Sequence, residues 1–307
     1  MSFILLGILA SSGGTSFVGG DAYFAGGDSG SNVSTVDKFD YVDDTRSTLG
    51  TGLSSTARRC GGASNQLVAG YVALGANPSE TATVNKFAFP ADTRSTLGTG
   101  LSSGRSDPAG MSNIGVAGYF AGGYNGSTFV STIDKFAFSD DSRTTLGTGL
   151  SRTATGSIGF QNDGTAGYFA GGGDFDGNTS TVDKFAFSDD SRTTLGTGIS
   201  TATSSGAGMS NSGVAGYYAG GARTTVDKFA FPTDSRTTLA TGLSSSRILL
   251  AGSSVSGVAG YAAGGSSGAT KLATVDKFAF PSDTRSTLAT GLSSARDGLS
   301  GMTSAVS

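Results

Sequence analysis

The residues able to do chemistry in this chain are few, and they recur. Six carboxylates, Asp44, Asp92, Asp141, Asp190, Asp234 and Asp283, each stand just before a Ser/Thr-Arg pair. Five more, Asp37, Asp134, Asp183, Asp227 and Asp276, precede Lys-Phe, and Asn85 takes their place in one copy. Such charges could ring a pore, or they could tie turns and neighbouring units together. Equal charges in every copy favour the second reading, because a site breaks symmetry, and a buried Arg–Asp pair needs its partner to offset a desolvation penalty of several kcal/mol. Five further arginines, Arg58, Arg105, Arg152, Arg247 and Arg296, fall in the connectors that end the copies and read as surface charges.

One group is not repeated. Asp174-Phe175-Asp176-Gly177-Asn178 alternates oxygen-bearing side chains around a glycine, as at the start of a calcium loop, with Asp174, Asp176 and Asn178 as the ligands. The acid that should follow downstream is absent, so a polar turn is the favoured reading and no metal or other cofactor is expected. The chain has no His and a single Cys, Cys60, which excludes a histidine base, an internal disulfide and a thiolate cluster. Cys60 reads as a small buried residue. Phosphate loops and nucleophile elbows are also missing. Two carboxylates suffice for a glycosidase, but no unique pair stands out, and the chain reads as no enzyme. A net charge of −3 with 14% charged residues gives no footprint for nucleic acid.

The elements that hold these residues are set by an internal repeat. Tyr23, Tyr71, Tyr119, Tyr168, Tyr217 and Tyr261 are spaced by 44–49 residues. Lys38, Lys86, Lys135, Lys184, Lys228 and Lys277 keep the same register, as do Arg46, Arg94, Arg143, Arg192, Arg236 and Arg285. In the fourth copy Gly167–Gly172 reads as a strand ending in a glycine pair. Thr181–Phe187 reads as a strand of β-branched and aromatic residues, and Ser188–Ser191 as an acidic turn. Arg192–Ile199 reads as a third strand and Gly206–Asn211 as a fourth. Four short strands per unit of about 50 residues form a propeller blade, and each blade must bury its faces against its neighbours. The expected fold is all-β, a six-bladed β-propeller of four short antiparallel strands per blade. It occupies residues 12–307, behind an apolar segment at residues 1–11. A trimeric fibre of Gly/Ser/Thr-rich β-repeats is the competing architecture.

The fourth segment occurs seven times for six blades, counting Gly13–Val18 before the first copy and Ser300–Ala305 after the last. Either terminal copy could close the ring, and in both cases the termini meet in the same or adjacent blades.

The unit resembles a kelch repeat, with its hydrophobic strand ending in a glycine pair: Gly26-Gly27, Gly122-Gly123, Gly171-Gly172, Gly220-Gly221 and Gly264-Gly265. The second copy departs with Leu74-Gly75. Leu49, Leu97, Leu146, Leu195, Leu239 and Leu288 fall near the position of the family's usual Trp. The resemblance implies the propeller and says little about function. The opening Met1-Ser2-Phe3-Ile4-Leu5-Leu6-Gly7-Ile8-Leu9, followed by Gly/Ser/Thr-rich repeats, resembles the start of tail-associated and other structural proteins of bacteriophages, particularly those of cyanobacteria. This second resemblance implies a virion component (tail, tail fibre, baseplate or capsid surface) made in the host cytoplasm.

The apolar run is too short to span a bilayer and lacks the basic start of a secretory signal, so membrane insertion is not expected. Phe3, Ile4, Leu5, Leu6, Ile8 and Leu9 are the candidate contacts to other virion structural proteins. The loops after the glycine pairs vary most between copies, and binding residues concentrate on such loops. Tyr124, Asn125, Phe129 and Phe175 there could stack on and hydrogen-bond a host surface polysaccharide; ordinary loop packing is the plainer account. The function expected is a non-enzymatic structural or adhesion component of a phage particle. A lectin-like soluble or surface propeller and a carbohydrate-active enzyme on a six-bladed scaffold are the alternatives.

Overall fold

Every copy of the repeat becomes one four-stranded antiparallel sheet. The structure, a computed structural model, describes residues 19–280 and 282–306. In the fourth blade the order from the axis outward is Ile158–Asn162, Ala166–Ala170, Val182–Ala186 and Arg192–Thr194. The other blades follow the same order, and no helix occurs among the described residues. The expected six-bladed propeller is the fold.

The first blade is completed by the other end of the chain. Its inner strand is Ser300–Val306, which runs antiparallel to Gly19–Ala25 with Gly19 opposite Val306 and Ala25 opposite Ser300. Of the two closures the sequence allowed, the C-terminal copy is the one used. Gly13–Val18 and the apolar segment at residues 1–11 lie outside the described residues.

Apolar side chains gather between blades rather than within them. Around the third blade, Met111, Tyr119 and Ile133 pack with Phe169, Phe185 and Phe187 of the fourth. Near the axis the packing tightens to backbone against backbone. Gly62, Gly110, Gly159, Gly208, Gly252 and Gly301 form a closed ring, in which a Cβ on any member would overlap the carbonyl oxygen of the glycine in the preceding blade. The glycine is therefore required by the diameter of the ring. Just beyond it, Ser64, Ser112, Ser210, Ser254 and Thr303 each accept a backbone N–H from the preceding blade. Gln161 stands at the sixth place.

The recurring charges hold this frame together. Asp44, Asp92, Asp141, Asp190, Asp234 and Asp283 all have φ of 54–59°, a left-handed turn that Asp tolerates better than most residues. Each reaches the preceding blade, where it accepts the hydroxyl of the repeat Tyr and pairs with the repeat Lys at 2.6–3.1 Å. The Lys ammonium lies 5.3–5.7 Å from the centre of the same Tyr ring. Burial and the facing carboxylate push every one of these phenols well above the ordinary tyrosine range.

Two expectations need correction. The strand that begins at Arg192, outermost in its blade, is shorter than the sequence suggested, Arg192–Thr194 rather than Arg192–Ile199. Gly198 passes too close to the Ser180 carbonyl for any side chain, and the chain turns inward there to bury Ile199. The five connector arginines are also not one surface set. Arg105, Arg247 and Arg296 are completely buried, paired with Asp134, Asp276 and Asp37 at 2.8, 2.6 and 2.9 Å. Each carboxylate also accepts a Thr hydroxyl from its own outer strand and a Ser amide from the preceding connector. Only Arg58 and Arg152 remain partly exposed, against Asp28 and Asp174.

Candidate functional site

With the recurring charges committed to the frame, the asymmetric residues collect on one face. Loops joining second to third strands share that face with the connectors from each outer strand to the next blade. They are laced to each other by short bridges, such as Ser106 with Tyr124 and Thr155 with Gly173. The turns on the other face are short and nearly uniform.

Two neighbouring loops carry the candidate residues. After Gly122 and Gly123, both at positive φ, the chain runs outward through Tyr124. The Asn125 side-chain oxygen accepts the amides of Ser127 and Thr128 at 3.0 and 2.9 Å, closing a tight turn. Tyr124 donates its hydroxyl to the Gly126 carbonyl at 2.8 Å. Phe129 returns beside Tyr124, with ring centres 5.4 Å apart. In the next blade Gly173–Asp174 and Gly177–Asn178 form a small hairpin with Phe175 at its tip. Phe175 is 77% exposed, yet its ring centre lies 4.6 Å from that of Phe129. Tyr124, Phe129 and Phe175 thus form one aromatic strip across two blades. Asn125 fixes the turn beneath them rather than offering its oxygen to a ligand.

The segment compared with a calcium loop is this hairpin. Asp174 pairs with Arg152 and also accepts the Asp176 amide at 2.9 Å. The Arg152 guanidinium draws the Asp174 carboxyl below its usual range. Among the described residues no cluster of three or more His, Cys, Asp or Glu is placed to hold a metal.

A second concavity lies on the axis at the same face, about 110 Å³ in volume. Six residues at positive φ surround it: Arg59, Asp107, Gly156, Ser205, Leu249 and Gly298. Arg59 and Asp107 pair at 3.2 Å, and burial nevertheless raises the Asp107 carboxyl. Cys60 lines the wall; burial pushes its thiol up to about 12, so it is not a nucleophile at neutral pH. Sequence reasoning missed this mouth because its six positions share a backbone conformation and no side-chain type.

Fold and faces define a six-bladed β-propeller with one asymmetric loop face. No protein-family model matches the chain, and no curated protein matches it. Among solved structures it is similar to the one described as "Structure of YjhT", with a TM-score of 0.66 and 14% sequence identity over 79% of this chain and 86% of that one. At that identity the likeness concerns the fold alone.

Proposed function

We propose that this protein is a non-enzymatic, kelch-like recognition module that presents the Tyr124–Phe129–Phe175 strip to a saccharide. Its setting is the one the N-terminal residues suggest, a phage particle in which the apolar segment at residues 1–11 contacts other virion proteins and the loop face looks outward. The observation that carries the saccharide reading is Phe175, held against Phe129 while 77% of it faces solvent. A large aromatic ring left open on a rigid platform offers a flat apolar surface, which suits the C–H face of a sugar. Screening wild type and Phe175→Ala on a glycan array tests this reading. Binding to a defined glycan that the substitution weakens about tenfold is expected; an array without hits overturns it.

A carbohydrate-active enzyme has one observation in its favour, the raised Asp107 carboxyl beside the axial cavity. Burial shifts this carboxyl in the direction a general acid requires, against the pull of the Arg59 guanidinium. Hydrolysis of a polysaccharide panel, lost in Asp107→Asn, would replace the recognition reading with this one.

A further inference from the structure

The aromatic strip is flanked by carboxylates at both ends. Glu80, the only Glu in the chain, belongs to the corresponding loop of the second blade. One of its oxygens accepts the Ser106 hydroxyl at 3.4 Å, and the other lies 3.2 Å from the position a Cβ on Gly126 would occupy. Gly126 is also the residue whose carbonyl receives the Tyr124 hydroxyl, so Glu80 stands beside the Tyr124 end. At the other end Asp176 follows Phe175 at the exposed tip of the hairpin. Among the described residues neither Glu80 nor Asp176 forms a salt bridge; the nearby Arg152 is held by Asp174.

Resting on the saccharide reading above, we infer that this strip selects sugars bearing a free ammonium group, that is, amino sugars without the N-acetyl cap. The faces of Tyr124, Phe129 and Phe175 carry the negative side of the aromatic quadrupole, which attracts a cation. Two carboxylates that form no salt bridge among the described residues add to that attraction, partly offset by Arg152 near Asp176, and they repel uronate or sialate carboxylates. An acetylated amino sugar keeps the flat contact but loses the charge.

Titration calorimetry with a glucosamine tetramer, its fully N-acetylated counterpart and a galacturonate tetramer reads this directly. Wild type should bind the free-amine tetramer about three- to fivefold more tightly than the acetylated one. Added salt should erode that margin. Glu80→Gln/Asp176→Asn should abolish the preference by weakening the free-amine tetramer about three- to fivefold relative to the acetylated one, and Phe175→Ala should weaken both. Equal affinities for the two hexosamine tetramers, or tighter binding of galacturonate, overturn the charge selection and leave the saccharide reading intact. Saccharide binding that is insensitive to Phe175→Ala overturns the reading on which it rests.

Discussion

The two faces of the disc use the same kinds of residue to opposite ends. On the turn face, Asp44 and its five counterparts are each consumed by a Tyr hydroxyl and a Lys ammonium of the blade before. On the loop face, Glu80 and Asp176 have no such partners among the described residues, and Phe175 projects into solvent. Repetition marks what the ring needs in order to close, and departure from repetition marks what it can expend on a ligand.

That contrast can be broken most severely through the frame. Arg296→Ala removes the nearer of the two guanidinium groups facing buried Asp37, leaving Arg46 at 3.5 Å, and should cost at most about 3–5 kcal/mol in chemical denaturation. Adding Asp37→Asn should recover part of the loss, because the second blade already pairs Ala57 with Asn85 at the matching positions. A single variant within 1 kcal/mol of wild type would show that the buried pair is dispensable.

A smaller effect sits in a turn of the fourth blade. One carboxylate oxygen of Asp163 is buried without a hydrogen-bond partner, and burial pushes its carboxyl up from 3.8 to about 6. The folded state therefore favours the protonated form. Ionised Asp163 weakens the fold above about pH 6, and stability is regained as pH falls from about 6 towards 4. Asp163→Asn should stabilise at pH 8 by at most about 3 kcal/mol, with the advantage vanishing below pH 4; a pH-independent gain in thermal melting would refute the cause given. The smallest effect belongs to the loop face, where Phe175→Ala should change stability by less than about 0.5 kcal/mol while reducing saccharide binding.

How much of this the sequence disclosed depends on where each residue's partner lies. The Tyr, Lys and Asp series were legible because every blade repeats the same contact in the same register. The buried arginines were not. Arg105 follows a Ser/Gly-rich connector that looks solvent-facing, and its partner Asp134 lies on the third strand of the next blade. The trace in the sequence was incomplete: Asn85 replaces Asp behind the connector that has Ala57 in place of Arg, but Asp183 and Asp227 stay behind Ala154 and Thr203. For the aromatic strip, Tyr124, Phe129 and Phe175 were each visible as loop residues. Their meeting required the knowledge that loops about one repeat apart lie on adjacent blades. The seven inner-strand copies left two closures open because either terminal copy supplies the small residues that the axis demands.

The closure chosen has a mechanical consequence. Gly19 and Val306 are opposite one another at the same end of an antiparallel pair, so tension applied between them peels the seam open from that end, one rung at a time. A load carried through residue 19 reaches that same end rung first, and only from Asp21 onward does the pairing with Val36–Asp40 share it.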